Sequence, residues 1–215
     1  MMNLVKQNQP QNFNSNPSEN YLAAIVLAGG KSTRMGQDKA LLVKSDRPLL
    51  THVCTVARDC LNLVYVVTPW IAKYRDLVPP NIKFIEETII LPNQDSNCPL
   101  IGFYQGLQQV KAEWILLLAC DLPNLTTEAI AQWQQQLPKV SDSEIALLPR
   151  DSKGWQPLCG FYRRSCLPLL EQYINNGGKS FQTWLSQYSV RETIVSDRSV
   201  LFNCNTWDDW LRVSS

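Results

Sequence analysis

The stretch that decides the fold spans residues 21–39 and reads YLAAIVLAGGKSTRMGQDK. Residues 22–28 form an apolar run of strand length that ends at the pair Gly29 and Gly30. Glycine lets backbone N–H groups approach a phosphate closely because it has no Cβ. Three cations follow the glycines, and they are Lys31, Arg34 and Lys39. We therefore predict a buried strand that delivers a nucleotide-binding loop to the edge of a sheet.

Two common phosphate-binding motifs do not fit this stretch. The Walker A motif requires a glycine five residues before Gly30, where the chain has Ile25. The dinucleotide fingerprint requires its second glycine where the chain has Lys31. The simplest alternative is a mobile glycine-rich loop with solvated lysines, which accounts for the composition of the stretch but not for the order of its residues.

Length and charge limit the classes of protein that fit. The chain has 215 residues and a net charge of +1, with a pI near 7.5. The length suits one α/β domain, and the near-neutral charge argues against nucleic acid or an anionic membrane as a partner. Residues 1–20 are rich in Asn, Gln, Ser and Pro. We therefore predict a disordered tail at 1–20 and a single domain at 21–215.

The seven cysteines do not form a pattern typical of zinc sites or disulfide frameworks. They are scattered, no two form a C-x-x-C pair, and the chain has one histidine, His52. The sequence shows no signal-peptide segment and no long apolar span. We therefore expect a cytoplasmic protein with reduced thiols. His52 lies in a helical apolar pattern and is expected to be packed or exposed rather than catalytic.

Beyond the first strand, apolar runs of strand length alternate with helical patterns. The predicted strands are residues 22–28, 63–68, 82–86, 114–119, 145–148 and 155–162. The predicted helices are residues 47–60, 100–111, 126–137, 163–176, 181–187 and 206–213. This alternation predicts a three-layer, Rossmann-like α/β fold with a mostly parallel sheet and helices on both faces. Trp207 and Trp210 are spaced i,i+3 and are expected to form a core stripe.

A carboxylate follows the most apolar strand. Ligands of open α/β sheets bind beyond the carboxyl ends of the strands. Residues 120–123, which read CDLP, place Asp121 at such a strand end, where an unpaired buried charge is costly. Mg²⁺ is the natural partner because it prefers oxygen ligands and is commonly shared between carboxylates and substrate phosphates. Alternatively, Asp121 caps the helix that follows Pro123.

The loop resembles the signature L-A-[GA]-G-x-S-x-R-M-G-x-x-K of nucleotidyltransferases with a glycosyltransferase-A-like fold, also described as nucleotide-diphospho-sugar transferase-like. The chain matches this signature without a gap from Leu27 to Lys39. Four later segments resemble motifs of the molybdenum cofactor guanylyltransferases: EE at 86–87, CPLIG at 98–102, QPLCGFY at 156–162 and NCNT at 203–206. The resemblance covers residues 21–213.

The resemblance implies transfer of GMP from GTP to the phosphate of a molybdopterin-type cofactor, with Mg²⁺ present and pyrophosphate released. The residues that it assigns to the nucleotide are Leu27, Ala28, Gly29, Gly30, Lys39, Glu87 and Asp121. Arg34 and Lys39 would neutralise the leaving pyrophosphate, and Asp121 would hold the magnesium ion. The acceptor would lie against Asn203 and Asn205.

Some positions bear on the choice of base. Residues 27–30 read LAGG, as in the guanine-using branch, whereas cytidylyl enzymes typically read LAAG. This similarity favours GTP over CTP. Glu87 stands where the family has aspartate, Cys98 stands where it has glycine, and Asp95 is an alternative to Glu87.

Two other functions compete with this interpretation. A cytidylyltransferase or sugar-1-phosphate nucleotidyltransferase would use the same loop and carboxylate with a different acceptor. A catalytically silent nucleotide-binding or carrier module would deliver cofactor to molybdenum enzymes, but it would not require Arg34, Lys39 and Asp121 together. The expected protein partners are molybdenum enzymes or their chaperones, in transient contact.

Overall fold

The structure is a computed structural model that describes residues 21–30, 32, 35–88 and 98–214. The predicted tail at 1–20, Lys31, Arg34 and Asp95 lie outside these residues. No helix within the described ranges combines the length and apolarity needed to cross a membrane.

Seven strands of the described chain form one mixed sheet. They are β1 (Leu22–Leu27), β2 (Val64–Thr68), β3 (Lys83–Glu86), β4 (Trp114–Ala119), β5 (Glu144–Leu148), β6 (Cys159–Arg163) and β7 (Ser189–Glu192). Their order in the sheet is β7-β5-β6-β4-β1-β2-β3. Strand β6 is antiparallel to both of its neighbours, and the other adjacent pairs are parallel. The predicted mostly parallel α/β sheet is therefore confirmed.

Helices cover both faces of this sheet. They are α1 (Leu49–Cys60), α2 (Ile71–Tyr74), α3 (Pro99–Gln109), α4 (Thr127–Gln134), α5 (Leu167–Asn175), α6 (Phe181–Leu185) and α7 (Trp207–Ser214). Short 3₁₀ turns occur at Lys39–Leu41, Arg75–Leu77, Leu137–Lys139, Arg164–Cys166 and Arg198–Leu201. One apolar core holds α1, α2 and α4 against the sheet, and a second holds α3, α5 and α6 against the opposite face.

Strand β1 shows why the first apolar run is continuous rather than alternating. Ala24 and Val26 pack in one core, and Ala23 and Ile25 pack in the other, all without solvent exposure. A strand in the middle of a parallel sheet is buried on both faces, so both sets of side chains must be apolar. This burial places the loop that follows β1 at the centre of the sheet edge.

The predicted helix at 47–60 begins two residues too early. Arg47–Pro48 instead pairs antiparallel with Val43–Lys44 in a small hairpin, and α1 begins at Leu49. The two hairpin turn residues, Ser45 and Asp46, have φ values of 48° and 65°. Two successive left-handed residues make a tight hairpin turn, and neither residue is glycine, so the usual sequence signal is missing.

The region from Arg150 to Arg163 also differs from the prediction. The expected strand at 155–162 is split, because Gly154–Trp155 pairs with Arg150–Asp151 and only Cys159–Arg163 joins the main sheet. Helix α5 begins at Leu167, after a 3₁₀ turn, rather than at Arg163. Strand β7 was missed because it is a short edge strand with mostly exposed side chains, which leaves no apolar alternation.

The expected core stripe in α7 is wrong for Trp207, which is 45% exposed, whereas Trp210 packs against a small cluster around Met35 and Leu49. The start of α7 is a reciprocal cap between Thr206 and Asp209. The amide of Asp209 donates to the Thr206 hydroxyl, and the amide of Thr206 donates to the Asp209 carboxylate. Leu211, one turn further along α7, is also exposed.

Candidate active site

A cavity of 330 Å³ opens at the carboxyl ends of the central parallel strands. Its walls come from the end of β1, the end of β4, the turn around Lys39 and the N-terminal part of α3. Four single residues complete the walls, and they are Tyr74, Glu87, Leu158 and Asn205. This is the position at which open α/β sheets bind ligands. The cavity is therefore the candidate active site.

Most of the residues proposed from the sequence lie on this one cavity. Those that line it are Leu27, Ala28, Gly29, Gly30, Lys39, Glu87, Asp121 and Asn205. Asn203 is not among the lining residues, and its side chain donates a hydrogen bond to the Leu201 carbonyl. Arg34 and Asp95 lie outside the described residues, so their predicted roles stay predictions.

Three polar side chains meet at one end of the cavity. The Lys39 ammonium lies 2.7 Å from the Asn205 amide oxygen and 3.3 Å from a carboxylate oxygen of Asp121. The side chains of Lys39 and Asp121 are only 16% and 14% exposed. The Cys204 amide donates to the Asp121 carbonyl at 3.0 Å, which attaches the segment carrying Asn205 to the end of β4.

The electrostatics of Asp121 differ from those of an ordinary surface carboxylate. Burial raises the pKa of Asp121, and the nearby Lys39 ammonium only partly opposes that effect. The alternative that Asp121 caps the next helix is excluded, because Thr126 occupies the N-cap of α4 and accepts from the Ala129 amide at 3.2 Å. The buried Asp121 side chain therefore lines the cavity, paired with Lys39, rather than capping a helix.

A second carboxylate occupies the opposite side of the cavity. A Cβ placed on Gly29 would lie 2.0 Å from Oε2 of Glu87, and one placed on Gly102 would lie 3.6 Å from the Glu87 carboxyl carbon. The glutamate side chain therefore fills the space that these glycines leave. Burial raises the pKa of Glu87 to about 7, so the group changes charge close to neutral pH.

The glycine loop is tied to the neighbouring strand. The Thr68 hydroxyl, at the buried end of β2, donates to the Ala28 carbonyl at 2.9 Å and accepts from the Trp70 amide at 3.1 Å. Ser32, with φ of 48°, accepts from the Lys39 amide at 3.1 Å and thereby closes the loop between them. These contacts hold the backbone beside the cavity in a defined shape.

The family profile described as the MobA-like NTP transferase domain matches residues 24–192. The chain belongs to the MobA-like NTP transferase family. It is therefore a nucleotidyltransferase, and the cavity described above lies where that family's loop meets the sheet edge.

Relatives of this MobA-like NTP transferase match most of its length. A protein of Trichormus variabilis described as a probable molybdenum cofactor guanylyltransferase is 52% identical over 88% of this chain and 89% of its own. A protein of Synechococcus elongatus with the same description is 39% identical over 87% and 95%. The crystal structure of molybdopterin-guanine dinucleotide biosynthesis protein A from Archaeoglobus fulgidus matches with a TM-score of 0.73 at 20% identity, over 89% and 96%.

The oxygen atoms of this MobA-like NTP transferase fit a magnesium ion. Asp121 offers a buried carboxylate that is paired with the Lys39 ammonium, and Asn205 adds an amide oxygen beside them. No cluster of three or more His, Cys, Asp or Glu side chains in the described ranges forms a metal cage. A magnesium ion here would therefore complete its ligands from water and substrate phosphates, as this ion usually does.

The cavity-lining residues that sequence reasoning missed include Asp38 and Tyr74. Asp38 falls at an unspecified position of the loop signature, and Tyr74 lies in the four-residue helix α2, which has no periodicity to detect. Of the other residues considered from the sequence, Cys98 and Cys120 line the cavity and His52 does not. His52 contacts the Leu125 carbonyl at 3.0 Å, and all seven cysteines are free thiols.

Proposed function

We propose that this nucleotidyltransferase moves GMP from GTP to the terminal phosphate of a molybdopterin-type cofactor and releases pyrophosphate. The observation that carries the proposal is a single cavity that holds Lys39, Asp121 and Asn205 at one end and Glu87 beside Gly29 at the other. The first group suits phosphates, and the second suits a base. The names of the most similar relatives support the same activity.

The transfer requires no covalent intermediate between the substrate and a side chain. An oxygen of the acceptor phosphate attacks the α-phosphorus of GTP. The bond between the α-phosphorus and the α–β bridging oxygen breaks, and pyrophosphate leaves with the bonding electrons as negative charge on that oxygen. Catalysis of this kind rests on positioning and charge stabilisation. Lys39 would meet the leaving pyrophosphate, with Arg34 as a further predicted cation from the loop.

The metal belongs to the proposal. Asp121, with Asn205 beside it, would hold Mg²⁺, and the ion would neutralise charge across the phosphates. In the structure Lys39 neutralises Asp121 at 3.3 Å. We propose that Lys39 turns from Asp121 to the phosphates when substrate and metal bind, so that neither charge is left unpaired at any stage.

The base choice rests on Glu87. Guanine presents two N–H donors on its Watson–Crick edge, and a deprotonated carboxylate accepts both. Cytosine presents an acceptor at the corresponding place, which would face the carboxylate and leave it unpaired. Gly29 makes the position of Glu87 possible, so the LAGG sequence and the carboxylate act together.

The proposal extends to the acceptor side of the cavity and to the cellular setting. Asn205 reaches the cavity and would contact the acceptor, whereas Asn203 would require rotation away from the Leu201 carbonyl. Seven free thiols agree with a reducing, cytoplasmic location. Transient contact with molybdenum enzymes or their chaperones would complete delivery of the product.

A nucleotide panel tests the proposal. The purified protein is mixed with Mg²⁺, molybdopterin and one of GTP, CTP, ATP or UTP, and pyrophosphate release is measured with and without the acceptor. We expect release with GTP that depends on the acceptor. Release with CTP would instead indicate a cytidylyltransferase, and nucleotide binding without release would indicate a carrier module.

A further inference from the structure

Asp38 lies directly before Lys39, and its carboxylate is fully engaged by the protein. Oδ1 accepts from the Ala40 amide at 3.0 Å. Oδ2 accepts from the Tyr74 hydroxyl at 2.6 Å and forms an ion pair with Lys73. A carboxylate with both oxygens bonded in this way holds local structure and has little capacity left to bind a metal ion or a substrate.

Tyr74 connects this carboxylate to the core. The side chain is fully buried in the core that also contains α1 and α4. Burial, together with the hydrogen bond to Asp38, raises the pKa of Tyr74 well above its ordinary value. The phenol therefore stays protonated and donates to Asp38 at every physiological pH. Lys73 is 44% exposed, and an exposed ion pair contributes little.

The same turn fixes Lys39. Residues Lys39–Leu41 form a 3₁₀ turn whose N-cap is Asp38. The Lys39 amide is held by the Ser32 hydroxyl, and the neighbouring Ala40 amide is held by Asp38. The backbone of Lys39 is thus anchored on both sides, so its side chain projects into the cavity toward Asp121 and Asn205.

We propose that Tyr74 and Asp38 are positioning residues for Lys39: a buried phenol holds a capping carboxylate, and that carboxylate sets the backbone from which the ammonium reaches the phosphates. The inference rests on the proposed function and extends it to two residues for which neither the family signature nor the relatives' names give a role. The connection between core and cavity runs through side chains from α2 and the loop, which are adjacent only in the folded protein.

Tyr74→Phe tests the inference because it removes one hydroxyl and keeps the ring. Tyr104→Phe is the matched control, since the Tyr104 hydroxyl also donates to a carboxylate, that of Glu171, at 2.7 Å, but lies away from the cavity. We expect Tyr74→Phe to lower turnover on the order of tenfold, the loss of one hydrogen bond to a charged group, with GTP affinity nearly unchanged. The control should keep the turnover of the unmodified protein.

A double variant of Tyr74 and Lys39 distinguishes a positioning role of Tyr74 from a general loss of structure. If Tyr74 acts through Lys39, adding Tyr74→Phe to Lys39→Ala causes no further loss of turnover. Independent, multiplying losses would overturn the inference, and so would full turnover in Tyr74→Phe. Asp38→Asn serves as the second variant if Tyr74→Phe does not fold, and it should show the same dependence on Lys39.

A measurement that does not depend on catalysis distinguishes the positioning role of Tyr74 from the proposed guanylyl transfer. Amide hydrogen exchange at Ala40, read by NMR, should speed up in Tyr74→Phe and stay unchanged in Tyr104→Phe. Unchanged exchange at Ala40 would contradict the positioning role even in an active enzyme. Absence of guanylyl transfer in the unmodified protein would instead contradict the proposed function and leave the exchange result to decide the positioning role.

Discussion

At the scale of single residues, Glu87 occupies the space that a side chain at position 29 would need. The 2.0 Å separation between its Oε2 and a Cβ built on Gly29 is far below any real contact. An alanine at 29 could be accommodated only if the flexible end of Glu87 moved. The glycine therefore permits the position of the carboxylate, which in the proposed function selects the base.

Gly29→Ala should displace Glu87 and reduce the preference for GTP over CTP on the order of tenfold, because a misplaced acceptor no longer pairs with the guanine donors. Gln109→Ala, at an exposed position of α3 that does not line the cavity, is the control. The measurement is the ratio of the two nucleotide affinities. An equal ratio in the two variants would show that Gly29 does not act through Glu87.

The pH dependence of Glu87 gives a second test. The pKa of Glu87 is about 7 in the folded protein, whereas that of an ordinary glutamate is 4.5. Between these pH values the folded protein therefore binds more protons than the unfolded chain. This group therefore adds stability as pH falls from 7 toward 4.5, and it costs stability above 7. Because GTP would require the deprotonated carboxylate, affinity should fall by up to about tenfold per pH unit below 7.

Glu87→Gln is the comparison for that profile, since it keeps the shape and abolishes the titration. Binding of GTP by the variant should show only the weak pH dependence of the nucleotide's own phosphates. Parallel profiles for the two proteins, measured by calorimetry from pH 5.5 to 8.5, would contradict the role of Glu87.

Lys39 is expected to contribute more to turnover than to binding. Its ammonium would meet charge that grows as the bond between the α-phosphorus and the bridging oxygen breaks, so Lys39→Ala should lower turnover roughly a hundred- to thousand-fold. GTP affinity should change much less. Lys44→Ala is the control, because Lys44 bonds Asn124 at 2.7 Å and does not line the cavity. A loss confined to affinity would make Lys39 a binding residue only.

At the scale of elements, α3 carries one wall of the cavity and lies unusually close to the sheet. A Cβ on Gly106 would lie 2.8 Å from Cδ1 of Ile25 and 3.2 Å from Cγ2 of Val67. Both partners are fully buried, so neither can turn aside into solvent. Glycine at this helix position permits the close approach, and the approach sets where Cys98–Gly102 meet the cavity.

Gly106→Ala brings two opposing effects. Alanine favours a helix by about 1 kcal/mol over glycine, but overpacking a dense core costs about 1–3 kcal/mol. We expect a net loss of about 1 kcal/mol, which lowers the melting temperature by roughly 2–4 °C. Gln109→Ala, at an exposed position of the same helix, should not lower it. A melting temperature of Gly106→Ala at or above the unmodified value would show that the core has room.

At the scale of the whole molecule, the site exists only where several elements meet. Lys39 and Asp121 are 82 residues apart in the chain, and Lys39 and Asn205 are 166 apart. The central position of β1 and β4 in the sheet brings their following loops together. Ligand binding at such a junction stabilises every element that contributes to it.

GTP with Mg²⁺ at a hundred times the dissociation constant should stabilise the fold by about 2.7 kcal/mol, or roughly 5–11 °C in melting temperature for this size. Asp121→Asn should lose the part of this shift that depends on Mg²⁺, since the metal anchor is gone. Asp59→Asn, at an exposed ion pair of α1, is the control. An unchanged Mg²⁺-dependent shift in Asp121→Asn would contradict the metal assignment.

The sequence by itself determined the fold class, the order of the main strands and helices, and the family. Continuous apolar runs mark strands buried on both faces, and the loop at 27–39 carries its signature in adjacent residues, so local information suffices. The position of Asp121 at a strand end was likewise readable from the apolar run before it. The predicted start of the first helix was wrong because the chain makes a tight turn there without glycine, at Ser45 and Asp46.

Only the tertiary structure decided which of these residues meet and what surrounds them. The pairing of Lys39 with Asp121, the place of Glu87 beside Gly29, and the contact between Tyr74 and Asp38 join residues far apart in the chain. Trp207 is exposed although its spacing from Trp210 predicts a buried stripe. Periodicity reports which side of an element is apolar, whereas contacts across the molecule depend on how the elements pack.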